Sequence, residues 1–209
     1  MPGQTHSRID DLVQVSARVG RNPLLVQAGS GNTSVKVDGI LWIKASGKWL
    51  AHAGREEILV PVNLAEARAP VTGNPCAVDP TGSVWTARGL VPSIETALHA
   101  VTPHAATIHV HSVNTIVYAV KETGPELLTE RMSGLPWQWI PYVPSGVPLA
   151  RQAAKAFARA SETTILVLAN HGLVVCGADP FEAEALLAGV EQRLAIQARR
   201  APVPDRARL

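Results

Sequence analysis

Two histidines separated by one valine, His109 and His111 in TIHVHSVNTIVYA, sit inside an apolar run. In an extended strand residues i and i+2 project from the same face. The spacing therefore predicts two imidazoles side by side at a strand end, with Val110 turned into the opposite layer. This geometry suits two nitrogen ligands on one ion. A catalytic Zn²⁺ takes three protein ligands and keeps one position open. His171, in ANHG, supplies a third imidazole where the apolar strand TILVLA ends, and Gly172 beside it permits close backbone approach. The competing reading of a bare His-x-His is a core histidine satisfied by a hydrogen bond; the second strand ending in His weighs against it.

Glu95, in PSIETALHA, is expected in the first turn of a helix, where the positive end of the dipole favours its ionised form. Beside a metal it could serve as a base or a fourth ligand. His99 lies four residues on and shares its helical face; composition alone reads the two as a surface pair. The stretch AGSGNTSVK, from Ala28 to Lys36, is glycine-rich but matches neither G-x-x-x-x-G-K-[ST] nor G-x-G-x-x-G. It could expose backbone N–H groups that cradle an anion, with Ser46-Gly47-Lys48 adding to the nest. The plainer reading is an ordinary turn. Two other His-x-His architectures fail. A cupin needs a Glu shortly after the second His, and Ser112 to Thr115 contain none. An amidohydrolase barrel needs a much longer chain.

The elements that must position these groups follow from periodicity. Ser7 to Arg21 is patterned as a helix, with Gly20 and Asn22-Pro23 ending it. Ser34–Val37 and Ile40–Ile43 read as strands joined at Asp38-Gly39, the two-residue signal for a tight hairpin. Glu57–Val62 is a short strand. Ala69 to Pro92, rich in Pro, Gly and Thr, reads as a loop or flap. Ser93–Val101 is a helix capped by Ser93. Ala105–His111 is a strand, Val113–Val120 a helix. Gln138–Val143 is an edge or irregular strand because of Pro141 and Pro144. Leu149–Ala160 is a helix, and Thr163–Ala169 and Leu173–Cys176 are buried strands. Pro180–Arg200 is a long helix begun by Asp179 and Pro180. Strands alternating with helices, with hairpins among them, predict a mixed sheet in a three-layer α/β/α domain.

The bulk composition agrees. The chain has 209 residues, is 46% hydrophobic and 17% charged, and carries a net charge of +2, which predicts one domain over residues 1–209 with a sizeable core. Its basic residues are scattered except for Arg199, Arg200, Arg206 and Arg208. No basic stripe interleaves with aromatics, so nucleic acid is not the expected partner. Cys76 and Cys176 lie in no CxxC motif, which fits a reducing compartment. The N-terminus has no signal-peptide pattern, and no apolar run approaches the ~20 residues of a membrane span. A soluble cytoplasmic protein is expected.

Taken in order, GSGNTSVK, KASG, PSIETALHA, HVHS, IPYVPSG and ANHG resemble the class II aldolase/adducin family from about Leu24 to about Leu187. Six short motifs in sequence are far more specific than any one. Their wording is closest to the aldolase portion of rhamnulose-phosphate aldolase/dehydrogenase-type proteins. The resemblance implies a three-layer α/β/α fold with a mixed, largely antiparallel sheet, and a homotetramer. It implies a divalent metal, Zn²⁺ first, with Mn²⁺, Co²⁺ or Ni²⁺ as alternatives, held by His109, His111 and His171. It puts the acid/base carboxylate at Glu95 and an anion cradle at Gly31, Asn32, Ser46, Gly47 and Ser93. It implies a carbohydrate-like substrate cleaved next to a carbonyl through a metal-stabilised enediolate, with 4-epimerases, decarboxylases, dehydratases and a non-catalytic adducin-like module as other family outcomes. Two departures stand out. Ile94 occupies a place where several fuculose-phosphate aldolases carry a second serine. Neither Tyr118 nor Tyr142 falls where some family members place an aldehyde-side acid, and Tyr142 looks like a packing residue.

Overall fold

The computed structural model of the chain describes residues 2–73 and 89–196, without the side chains of residues 2–6. Helix α1 (Pro2–Gly20) starts earlier than its apolar pattern. β1 (Asn32–Val37) and β2 (Ile40–Lys44) form the expected hairpin. Asp38 and Gly39 both have positive φ, 51° and 78°, as the tight turn requires. A single 3₁₀ turn, Leu50–His52, precedes β3 (Leu59–Asn63). α2 (Leu64–Thr72) overturns the start of the expected loop at Ala69. Asn63 caps it, its Oδ1 accepting from Ala65 N and Glu66 N at 3.0 and 3.1 Å. Pro70, which argued for a break, sits in the helix's last turn with its carbonyl bonded to Arg151 Nη2 at 3.0 Å. Residues 74–88 of that loop, with Cys76, lie outside the described residues.

α3 (Thr96–Val101) begins three residues later than expected. β4 (Ala106–Val110) ends one residue before His111. α4 (Val113–Ala119) is capped by Ser112, and α5 (Gly124–Arg131) follows without having been anticipated. β5 (Trp137–Ile140) stops before Pro141, which has no N–H to continue a ladder. α6 (Val147–Arg159), β6 (Ile165–Leu168) and β7 (Gly172–Gly177) come next. α7 (Pro180–Leu194) starts as read, with Asp179 Oδ1 accepting from Glu182 N at 2.8 Å. The expected extension to Arg200 falls short at Leu194; residues 197–200 and the arginine-rich tail lie outside the described residues.

The strand order is β3-β2-β1-β4-β7-β6-β5. All pairs are antiparallel except β5 with β6, and the order leaves β5 at an edge, as its prolines predicted. Alternation along each strand sorts side chains into two layers. Val35, Ile108, Val110, Val167 and Val175 pack with Leu12 and Val15 of α1 and Leu187 and Val190 of α7. Leu166, Leu168, Val174 and Cys176 pack with α3 and α6, and Leu41, Ile43 and Val60 with α2. The result is the α/β/α sandwich that the pattern predicted. Among the described residues no helix is long and apolar enough to cross a membrane.

The centre of the sheet is closely drawn. A Cβ at Gly172 would lie 2.5 Å from Val110 O and 3.3 Å from His111 Cδ2, well inside contact distance. Gly172→Ala is therefore expected to destabilise the protein by about 1–3 kcal/mol through overpacking between β4 and β7. A lowered urea midpoint at unchanged m would register it; an unmoved midpoint would mean that β7 has room to spare.

Candidate metal centre

One end of the central strands gathers the polar groups. In the β1–β4 register Asn32 lies directly opposite His109, so both side chains leave the same face. Thr107 shares that face, bonding Thr102 Oγ1 at 2.9 Å, while Val110 joins the core on the other side. His111 lies just past the strand. His171 closes the tight turn between β6 and β7, its N–H bonded to Leu168 O at 3.1 Å. That turn needs Asn170 at φ 53°, a left-handed conformation asparagine tolerates. Glu95 sits in the turn before α3 rather than in the helix's first turn. The Ser93 hydroxyl accepts from Glu95 N at 3.2 Å, so Ser93 caps a turn and the helix proper starts at Thr96.

These elements bring the three imidazoles together, with one ring nitrogen from each of His109, His111 and His171 all within 4.8 Å of one another. Glu95 faces two of them: its Oε2 is 3.3 Å from His109 Nε2 and its Oε1 is 3.3 Å from His171 Nε2. Asn32 Nδ2 donates to Glu95 Oε2 at 2.8 Å and to Ser93 Oγ at 3.1 Å. The tautomer of His109 follows from its anchor. Nδ1 is 3.0 Å from Leu173 O; a carbonyl only accepts, so Nδ1 carries the proton. Nε2 of the neutral ring then presents a lone pair. It is buried, with no hydrogen-bond partner, as is Glu95 Oε1. Buried polar atoms are seldom left orphaned, and a lone pair aimed at a carboxylate oxygen is repulsive unless something positive lies between. Burial, first of all, lowers the pKa of each of the three histidines, with the charge of Glu95 opposing it. Neutral imidazole is the form that binds metal. The donor set fits a divalent cation.

For Glu95, burial works to raise the pKa, while positive charge at the His109 cluster and the Asn32 hydrogen bond work to lower it; the balance leaves the carboxyl below its ordinary value whenever the cluster carries positive charge. Neither Glu95 nor His99 belongs to a surface pair: they are 5% and 0% exposed. His99 Nδ1 instead bonds Ser34 Oγ at 2.7 Å.

The group opens into a cleft of about 230 Å³ lined by Gly31, Asn32, Ser46, Gly47, Ser93, Glu95, His111 and His171. His109 lies buried beneath. Gly31 and Gly47 hold φ of 66° and 72°; a Cβ on Gly31 would come within 2.9 Å of His109 O. The N–H of Ser46 is bonded to Val91 O at 2.8 Å, so Ser46 offers the cleft its hydroxyl. Two lining residues received no role from the sequence. Lys44 is buried, its Nζ donating to Gly29 O, Ala45 O and Lys48 O at 3.0, 3.2 and 2.6 Å. It ties the two glycine turns together, and burial lowers its pKa to about 8 against the pull of Glu95. Its signal was a lysine ending an apolar strand directly before Ala-Ser-Gly. Ser145, next to the positive-φ Gly146 in PSG, is the other. Ile94 stands at the cleft 62% exposed. Tyr142 is 63% exposed, not packed within the chain as expected, and Tyr118 is buried in the α1/α7 layer.

The profile of the family described as Class II Aldolase and Adducin N-terminal domain matches residues 10–198, and the chain belongs to that family. Among solved structures, the N-terminal class II aldolase domain of a conserved protein from Thermoplasma acidophilum superposes with a TM-score of 0.77 at 25% identity, covering 89% of this chain and 91% of that one. A sugar-phosphate aldolase from Thermotoga maritima has the same fold, with a TM-score of 0.68 at 16% identity over 91% and 93% of the two chains. A curated relative from Bacillus subtilis, the uncharacterized oxidoreductase YuxG, is 26% identical over 184 residues, 81% of this chain. The chain spans about a quarter of that protein's length, 26%.

The burial of His99 carries a pH dependence. Chiefly through burial, its pKa is lowered from 6.5 to about 3. Between those values the unfolded chain binds the extra proton and the folded protein does not, so this stabilising contribution is complete above about 6.5 and is lost as pH falls toward 3. His99→Gln is expected to lose less unfolding free energy than the wild type between pH 7 and pH 4. Urea denaturation at both pH values checks this; equal losses would contradict the assignment.

Proposed function

We propose that this member of the class II aldolase/adducin family is a metal-dependent carbon–carbon lyase. It would cleave a hydroxy-ketone of the sugar or sugar-phosphate class next to its carbonyl. The observation that carries the reading is the Glu95 carboxylate held 3.3 Å from the Nε2 atoms of both His109 and His171 at the floor of an open cleft. His109, His111 and His171 would hold the cation. Zn²⁺ is favoured because neutral imidazoles with one open position are its usual catalytic donor set. When bound, it supplies Lewis-acid stabilisation of the negative charge that grows on the substrate oxygen.

The chain's own groups do the rest. Glu95 delivers a proton to the carbon released by cleavage, and withdraws it in the synthetic direction. Asn32 holds Oε2, which leaves Oε1, 3.3 Å from His171 Nε2 and without a hydrogen bond, as the exchanging atom. Its low pKa keeps it a carboxylate before substrate enters. The hydroxyls of Ser46 and Ser93, with the backbone at Gly31 and Gly47, orient the substrate's anionic end. Lys44, which lines the cleft, adds positive charge to it when protonated. Ile94 takes away one hydroxyl from this cradle, so an unphosphorylated or carboxylate-bearing substrate is accommodated as readily as a phosphate. The same reading carries a cytoplasmic homotetramer. Epimerases and decarboxylases pass through the same carbanion-forming step, which is where the residues act.

Metal content and product analysis separate these outcomes. The lyase reading expects about one metal per purified chain and free aldehyde from a panel of hydroxy-ketones and sugar phosphates. Interconversion without fragments would mean an epimerase, CO₂ release a decarboxylase, and metal-free inactivity an adducin-like module. Glu95→Gln is expected to retain metal but to lose proton exchange at the donor carbon by about 10²–10⁴-fold, followed by NMR in D₂O. Undiminished exchange would remove Glu95 from the role.

A further inference from the structure

β4 ends at Val110, so the strand ladder does not by itself fix His111. Its ring also lacks the anchor that Leu173 O gives His109; no hydrogen bond to the His111 ring is found among the described residues. The ring rests against those of His109 and His171, with centroids 5.1 and 5.2 Å away, and its backbone is held by the turn that follows. Three contacts define the turn. Val113 N donates to Leu24 O at 2.8 Å. Thr115 N donates to Ser112 Oγ at 3.0 Å, starting α4. The third comes from across the layer. Glu191, on α7 one turn past the buried Leu187, accepts from Ser112 Oγ with Oε1 and from Asn114 Nδ2 with Oε2, the latter at 2.9 Å. Both carboxylate oxygens are thus spent on the residues flanking Val113.

This is a specific use of a charge. Ser112 is fully buried, and its hydroxyl must both donate and accept. Among the described residues no ion pair neutralises Glu191. Arg18, which lines the same groove between α1 and α7, is paired with Glu184. Glu191 is half-buried, and its two bonds to Ser112 and Asn114 are charge-assisted, so they hold the turn more firmly than neutral bonds would.

We propose that Glu191 is a positioning residue for His111. Its carboxylate latches the 112–114 turn to α7 and so sets the angle at which the imidazole meets the other two. The inference rests on the reading of His111 as a metal ligand. It makes the docking of the last described helix part of the metal site, although no atom of that helix reaches the cleft.

The test uses the full chain and measures three things: Zn²⁺ affinity by competition with a chromophoric chelator, the visible d–d spectrum of the Co²⁺ form, and the melting temperature of the metal-free protein. Glu191→Ala is expected to weaken Zn²⁺ binding about tenfold or more, as outer-shell changes do, and to alter the Co²⁺ bands. Glu191→Gln keeps the volume and one acceptor, and is expected to fall between; it also carries the test should the alanine variant fail to fold. Glu184→Gln, which removes the charge that ties α7 to Arg18 without touching the turn, is expected to leave affinity and spectrum unchanged. The proposal is overturned if the Glu191 variants bind Zn²⁺ like the wild type with an unaltered Co²⁺ spectrum, or if Glu184→Gln weakens binding equally. Failure of the underlying reading looks different: wild type would take up no metal, or His111→Ala would bind as tightly as wild type.

Discussion

A carboxylate oxygen and the unprotonated nitrogen of a neutral imidazole cannot sit at close range in a buried site, lone pair against lone pair, without something positive to share. That constraint governs this molecule. His109 has committed its only ring proton to Leu173 O, and Glu95 has one oxygen on Asn32 and the other unpartnered. Burying such a group unpaired would cost several kcal/mol (about 2–7 for a polar group, more for a charge). The surrounding fold spends its register, turns and close approaches on holding the arrangement. Asn32 must face His109, His171 must leave a left-handed turn, and Glu95 must stop short of its helix.

The two faces of the sheet divide the labour. Toward α1 and α7 the strands present mainly aliphatic side chains such as Val35, Ile108, Val110 and Val175, and burial of this kind stabilises by roughly 25 cal/mol per Å². Toward α3, β1 presents Asn32, Ser34 and Lys36, and β4 presents Thr107 and His109. This face is a chain of hydrogen bonds: Ser34 to His99, Lys36 to Thr102 and His104 O, Thr102 to Thr107. Lys36 is half-buried, and desolvation of its amine lowers its pKa to about 7. A polar seam of this sort adds little net stability and much specificity of placement. The apolar layer lets the polar layer be built for chemistry.

Much of this was legible in the residues. The Asp38-Gly39 turn, the Asp179 cap and Pro141 as an edge signal are local chemistry, and the structure reproduces them because nothing tertiary competes. The His-x-His spacing and the His at a second strand end needed only the two-residue period. What escaped was tertiary. α2 was hidden by Pro70 and by the Pro/Gly-rich stretch beyond it. α5, opened by Gly124-Pro125, buries only Leu128 among its large side chains and so shows no apolar stripe. The burial of His99 and Lys44 runs against the habit of those residue types; only the register of β1 against α3, and the convergence of three backbone carbonyls, makes room for them. Glu95 was placed near its true position but one turn too far into its helix, because a serine's ability to cap a turn and to cap a helix look alike in sequence.

Two glycines bracket the end of β4. On the β1 side a Cβ on Gly31 would lie 2.9 Å from His109 O; on the β7 side one on Gly172 would lie 2.5 Å from Val110 O. Successive carbonyls of the histidine-bearing strand are thus pressed from left and right by neighbours that have no side chain to give. Sequence drift is closed at both flanks at once: a methyl on either would push the same short segment, and relief on one side cannot come from the other. Diversification of such a scaffold must run through the cleft's rim, at places such as Ile94 and Ser145, while its innermost strand end stays as it is.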